Sequence, residues 1–319
     1  MWEPSDYPQP FDVYTLPALP GISLTILFSI IGIFGNLNII LATDRKRRLR
    51  SRCNIFIAIN AGADVLHQTG HIIFAFYYLL GDPFRPLEYV FYLYIPAVMG
   101  ANMGAPLMFV ISFDRLFCVL FPVKYEKIPR HYYLAMLLAI PITQSNLIMY
   151  QNYQGMTKNR NMLVVCSFVQ TYTGDDQHVW RYMQVIFCVL IIACYTFIWF
   201  YLNHNQEAFL KTVKPLSLIT ISQVSCWLMA TGVQYIFMPS GLNDPGYIFL
   251  LQMNGGWQLN MGLASNYFAY FLNKDYRMAF LEQLDVITCG YINSRKRRTK
   301  VSVLWKGTFN SANMKTSRL

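Results

Sequence analysis

Seven stretches of this chain are long and apolar enough to cross a bilayer, and that pattern constrains the fold more than any single motif. They run over residues 21–43, 54–80, 89–113, 132–150, 182–202, 215–238 and 247–272. Apolar runs of about 18 residues or more read as membrane-spanning helices. Six of the seven contain no Asp, Glu, Lys or Arg, and the second contains one acid, Asp64. The charged share of the whole chain, 13%, is half of the roughly 25% carried by soluble domains. Tyr77, Tyr78, Tyr132, Tyr133 and Trp180 cluster near span ends, where an interfacial belt places aromatic rings. The predicted fold class is therefore all-α, a seven-transmembrane-helix bundle.

Charge sets the orientation. Of the 26 Lys and Arg residues, 22 fall on one side: the 44–52 loop, Arg115, the 124–130 loop, Lys211 and Lys214, and the segment after Asn273. Arg85, Lys158, Arg160 and Arg181 fall on the other. The positive-inside rule then puts the N-terminus outside and the C-terminus inside. The net charge of +10 is accounted for as a topology signal, with no nucleic acid among the partners. Residues 1–20 read as an acidic, proline-rich outer tail without signal-peptide features, followed by the seven-span bundle at 21–272. Residues 273–285 place Tyr276, Phe280 and Leu284 on one stripe and Lys274, Arg277, Glu282 and Asp285 off it. That predicts an amphipathic helix lying on the inner membrane surface. Residues 286–319 form a basic, Ser/Thr-rich tail of disordered type.

Polar residues inside the spans carry the functional signal. An acid at the bilayer centre costs about 2.5–3.5 kcal/mol, so Asp64 needs compensation. Asn36 in the first span and Asn266 in the seventh lie at similar depth and can supply hydrogen bonds, as a structural network or as part of a switch. The pair Asp114–Arg115 stands at the inner mouth of the third span, either as a snorkelling interfacial pair or as an arginine held weakly enough to be released. Gly100 and Gly104 make a G-x-x-x-G suited to close helix packing. His67 and His71 share a face of the second span, with no acid or thiol at metal-ligating spacing. Seven scattered cysteines include no C-x-x-C. No catalytic constellation, cofactor motif or metal cluster is present, so the chain is not expected to be an enzyme.

Taken in order, Gly35–Asn36, the AGAD ending at Asp64, DRLFCVLFPVKY from Asp114, Cys226–Trp227, NYFAY from Asn266 to Tyr270 and the following FLNKDYRMAF resemble a rhodopsin-like G-protein-coupled receptor. The segments LRSRCNIFI, the His71 region and the IP…G…DRLFCVLFP run are more narrowly similar to nematode serpentine chemoreceptors of the Srsx class. The resemblance is dense over about residues 20–130 and thinner to about 285. It implies that Arg115, released from Asp114, receives the tail of a heterotrimeric G-protein α-subunit. It also implies that Tyr270 swings in to support it, that Pro122 orders the second inner loop, and that Trp227 is the toggle beneath a ligand. Asn36, Asp64 and Asn266 would form the polar hub. A plasma-membrane location follows, with a sensory cilium as its chemosensory setting.

The sequence also departs from the family pattern. Tyr267 and Met229 stand where prolines are expected, and Gly104 stands where a hydroxyl helps hold sodium. Val90 replaces the cysteine that would bridge Cys166. No N-x-[ST] sequon occurs. Ala97, where amine receptors carry an aspartate, argues against a biogenic amine. On the outer half, His71, Tyr94, Asn102, Gln234, Gln252, Trp257 and Asn260 are the candidate contacts for a small neutral ligand. The outer surface holds eight acids against four bases, which keeps a neuropeptide receptor in view. A non-signalling seven-helix partner protein and a seven-helix channel are the readings from other classes. Inside, basic runs suit anionic membrane lipid, Cys289 suits palmitoylation, and Thr299 and Ser302 suit a kinase and arrestin.

Overall fold

The computed structural model describes residues 12–81, 84–172, 176–202, 221–226, 228, 229, 232, 256–267 and 273–288. Helix α1 runs Asp12–Arg45 and α2 runs Arg52–Leu79. A short strand β1, Phe84–Pro86, leads into α3, Leu87–Leu120. Then come α4 (Pro122–Lys127), α5 (Arg130–Lys158), strand β2 (Leu163–Val165) and α6 (Asp176–Leu202). Helical residues 221–226 (α7) and 256–267 (α8) belong to the sixth and seventh spans, and α9, Lys274–Ile287, follows.

Among the described residues, α1, α3, α5 and α6 are the four helices that meet the length and apolarity of a membrane span. The seven spans read from the sequence include three more. The 28-residue α2 is long enough, but Asn60, Asp64, His67, Gln68 and His71 dilute its hydropathy, and all five are buried inside the bundle. The sixth and seventh spans lie only partly within the described residues. The exposed surface of the apolar helices is itself apolar: Ile30, Phe34 and Leu41 on α1, and Val189, Phe197 and Phe200 on α6, face outward. Polar groups are inside and apolar groups outside, as a lipid solvent requires.

Several boundaries differ from the sequence reading. Helix α1 begins at Asp12, within the segment read as an outer tail. At 34 residues, α1 and α3 each extend about 51 Å at 1.5 Å per residue, well beyond a ~30 Å hydrocarbon core. Asp114 and Arg115 sit more than one turn before the last residue of α3, Leu120. The connection read as an outer loop from residue 151 is helical as far as Lys158. The all-α class holds except for one small element: β1 and β2 pair antiparallel, with Phe84 opposite Val165 and Pro86 opposite Leu163.

Helix–helix contact is most extensive between α2 and α3 and between α1 and α2. Gly100 permits the first. A Cβ built there would come 2.4 Å from the Ala63 carbonyl oxygen and 2.8 Å from the His67 amide nitrogen, whereas one at Gly104 would meet nothing within 4 Å. Among the described residues only Gly100 of the G-x-x-x-G lies at a helix contact. Gly35 performs the same service for α8: its Cβ would come 2.4 Å from that of Tyr267. The Tyr267 ring, standing where proline was expected, packs at 4.8 Å on Phe280 and 5.9 Å on Phe34.

Helix α9 forms where the stripe predicted it. Asn273 caps it by accepting from the Asp275 amide at 2.9 Å. Tyr276, Ala279 and Phe280 are buried against the inner core. The Tyr276 and Thr43 hydroxyls lie 3.2 Å apart, and Gln283 Nε2 donates to the Asn38 carbonyl at 3.3 Å. Lys46–Glu282 and Arg48–Asp275 are ion pairs across this contact. These pairs are partly exposed, so they contribute at most about 1 kcal/mol each. Glu282→Gln is therefore expected to leave the thermal midpoint of the purified protein nearly unchanged.

Candidate functional site

The inner site is built from the first turn of α2, the inner end of α3 and α4. Ser51 caps α2 by accepting from the Asn54 amide at 3.3 Å, which sets Cys53, two residues on, under α3. Arg115 Nε lies 3.8 Å from Asp114 Oδ2 and 2.8 Å from Cys53 Sγ. One nitrogen makes both contacts: the Nε–H is given to a thiol on another helix, with the neighbouring carboxylate at ion-pair distance. Asp114, fully buried, accepts from the Tyr125 hydroxyl at 3.0 Å. Burial and the adjacent carboxylate raise the Tyr125 phenol above its ordinary range, so it remains a proton donor to Asp114 at physiological pH.

Arg52 fixes the short helix that presents Tyr125. Its guanidinium donates to the Tyr125 carbonyl, donates to the Ile128 carbonyl at 2.7 Å, and lies 4.6 Å from the Tyr125 ring centroid. Pro122 occupies the first turn of α4 on an exposed surface, where the missing N–H costs nothing. Tyr125→Phe removes the donor from a buried carboxylate, a bond worth about 1.5–3 kcal/mol. The variant is expected to show a clearly lowered thermal midpoint in the purified protein.

The polar hub lies deeper. Asp64 Oδ2 accepts from Asn266 Nδ2 at 2.9 Å and from Asn60 Nδ2 at 3.1 Å, and Gln223 of α7 lies beside it. The carboxylate thus ties α2 to α8. Asn36 belongs to the same layer but does not reach Asp64. It donates to Gln68 Oε1 and to the Leu263 carbonyl, each at 3.4 Å. The sequence singled out Asn36, Asp64 and Asn266 and missed Asn60, Gln68 and Gln223. The i, i+4 spacing of Asn60 and Asp64, and again of Asp64 and Gln68, was the available signal for two of these.

On the outer side, the segment after β2 folds down into the bundle. Val164, Val165, Cys166, Phe168, Thr171 and Tyr172 are all buried. Tyr94 donates to the Cys166 carbonyl at 2.7 Å, and Tyr172 to Asn102 Oδ1 at 2.8 Å. Phe168 sets its ring at 4.9 Å from His67 and 5.1 Å from His71, edge-on to both. Without a bridge from Cys166 to the position of Val90, hydrogen bonds from α3 hold this loop. Cys166 is a free, fully buried thiol whose pKa is pushed up by burial to about 11. At pH 8 roughly one thiol in a thousand would then be thiolate, the reactive form. Alkylation of Cys166 by maleimide in the purified, folded protein is expected to be slow and to speed up on unfolding, read as mass-tagged peptide.

Of the candidate ligand contacts, His71, Tyr94 and Asn102 gather under this loop. Trp257 and Asn260 turn toward α1: Trp257 stacks on Phe28 at 6.3 Å, and Asn260 Oδ1 accepts from Ser29 at 2.9 Å. Gln234, Gln252, Trp227, Tyr270 and Cys289 lie outside the described residues. Among the described residues no group of three or more His, Cys, Asp or Glu could hold a metal ion.

Two comparisons bear on this arrangement. The profile of the serpentine type 7TM GPCR chemoreceptor family Srsx matches residues 29–284. A Dopamine D2-like receptor of Drosophila melanogaster is 34% identical over 106 residues, 33% of this chain and 12% of that protein. The matched stretch is thus a small part of that receptor's length. The family match spans most of the chain and contains the hub, the Asp114–Arg115 pair and the membrane helices: the chain belongs to the Srsx family of serpentine seven-transmembrane G-protein-coupled chemoreceptors.

Proposed function

We propose that this membrane receptor binds a small, uncharged extracellular molecule and activates a heterotrimeric G protein through Arg115. The observation that carries the proposal is the weak tether of Arg115. A guanidinium shared between Asp114 at 3.8 Å and a neutral thiol at 2.8 Å is held by fewer strong bonds than a bidentate carboxylate pair would give. A modest shift of α2 against α3 frees its N–H groups for the carbonyls of an inserted α-subunit tail. Tyr125 still donates to Asp114 Oδ1 at 3.0 Å, so the carboxylate keeps one hydrogen bond when the guanidinium leaves.

The hub supplies the coupling. Asp64 is bonded from α8 and flanked by Gln223 of α7, so movement of either outer helix end alters the carboxylate's partners. Trp227 and Tyr270 take the toggle and supporting roles in this reading, and Pro122 presents the second inner loop. Burial of the outer loop over α3 favours a small ligand over a peptide. The inner basic residues suit anionic lipid, Cys289 a palmitoyl anchor, and the basic tail a kinase and arrestin. The cell surface, including a sensory cilium, is the location this reading requires.

The test is G-protein activation in cells expressing the receptor, exposed to a metabolite extract before and after protease digestion. A response that survives digestion supports a small-molecule receptor. A response abolished by digestion would make it a peptide receptor.

A further inference from the structure

We infer that the outer half of the bundle holds a subsite for a primary amide or a closely similar neutral group, one that both donates and accepts a hydrogen bond. The inference deepens the small-ligand reading above and rests on it. Three polar side chains are buried around the outer loop and linked through neighbouring residues. Gln184 of α6 donates through Nε2 to the Ala101 carbonyl at 3.5 Å, which fixes its orientation and leaves Oε1 as an acceptor. The adjacent residue, Asn102, accepts from Tyr172 through Oδ1 and leaves Nδ2 as a donor. His71 packs on Phe168, four residues before Tyr172 in the same loop.

Gln184 Oε1, Asn102 Nδ2 and His71 Nε2 have no hydrogen-bond partner among the described residues, and their residues are 3%, 0% and 7% exposed. Leaving a buried donor or acceptor unmet costs about 1–3 kcal/mol, so such groups stand ready for an occupant. The walls around them are aromatic: Tyr172 packs on Trp180 with ring centroids 5.0 Å apart, one turn before Gln184. The occupant that fits presents an N–H to Gln184 and a carbonyl to Asn102 and carries a flat apolar body. A full charge on it would find no opposite charge among these three groups, which is a cost in a site shielded from water.

Benzamide is the probe, with benzoate, benzylamine and acetophenone as shape-matched controls. Binding is read by ligand-observed NMR on the full-length protein in lipid nanodiscs. Benzamide is expected to bind saturably, and Gln184→Leu and Asn102→Leu each to weaken it roughly tenfold, the effect of losing one hydrogen bond to a buried group. Acetophenone lacks the N–H, so it should bind more weakly and be indifferent to Gln184→Leu. Gln283→Leu, which removes a buried amide on the inner side, should leave benzamide binding unchanged. Thermal melting establishes that each variant is folded, and Gln184→Met replaces Gln184→Leu if the latter is not. Absence of benzamide binding to wild type, equal binding of benzoate, or insensitivity to both outer-half substitutions would overturn the inference. Because the assay contains no G protein, its outcome decides the subsite alone, and the receptor reading stands or falls separately on nucleotide exchange.

Discussion

Arg115→Ala is expected to reach the cell surface at wild-type level and to lose at least about nine-tenths of its ligand-driven G-protein activation. The side chain spans two helices and is largely buried, yet its contacts are an ion pair at 3.8 Å and a bond to a thiol, not a closed network. Removing it leaves Asp114 with the Tyr125 hydroxyl as a donor at 3.0 Å, so the folded state retains a partner for the buried carboxylate. The loss falls instead on the complex, where a charge-assisted bond to an inserted peptide contributes about 1.5–3 kcal/mol, or roughly ten- to a hundredfold. Surface epitope counting and second-messenger assays on the same cells separate the two effects. A variant that fails to reach the surface would place Arg115 in the scaffold. A variant that signals normally would remove it from the account.

Gly100→Val should have the largest effect on stability, about 3 kcal/mol, the upper end of the range for overpacked cores. The atoms a Cβ would meet at 2.4 and 2.8 Å belong to the α2 backbone, which cannot rotate away as a side chain can. The helices must separate, and separation disturbs the layer that holds both Asp64 and His67. Gly104→Ala is the matched control, since the built Cβ meets nothing within 4 Å. Thermal unfolding of the purified protein should show a large drop for the first substitution and none for the second.

The helical class, the spans of α1, α3, α5 and α6 and the family were legible because hydropathy is a sum over many residues. The surface helix was legible as well, from Tyr276, Phe280 and Leu284 at four-residue spacing. Asp64 and Asn266 were readable as partners because two polar residues inside an apolar bundle have few alternatives. Cys53, Arg52 and Tyr125 were not readable. Arg52 reaches carbonyls 73 and 76 positions away, a contact set by helix rotation and tilt rather than by any local pattern. The outward turn of Trp257 and Asn260 toward α1 depends on the same rotation. The folded-in outer loop was missed for a different reason. Its sequence is polar at its ends, and only pairing of residues 163–165 with 84–86 carries Phe168 and Tyr172 into the core.

The central claim is that this chain, alone, turns a small-molecule signal into nucleotide exchange on a G protein. The direct measurement is guanine-nucleotide exchange by purified heterotrimer mixed with the receptor in nanodiscs, with and without protease-treated metabolite extract. The account predicts extract-dependent acceleration by wild type and none by Arg115→Ala at equal receptor content. Wild type and Arg115→Ala giving the same rate as empty nanodiscs, across extracts that engage the outer site in binding assays, would contradict it and make the protein a non-signalling member of its family.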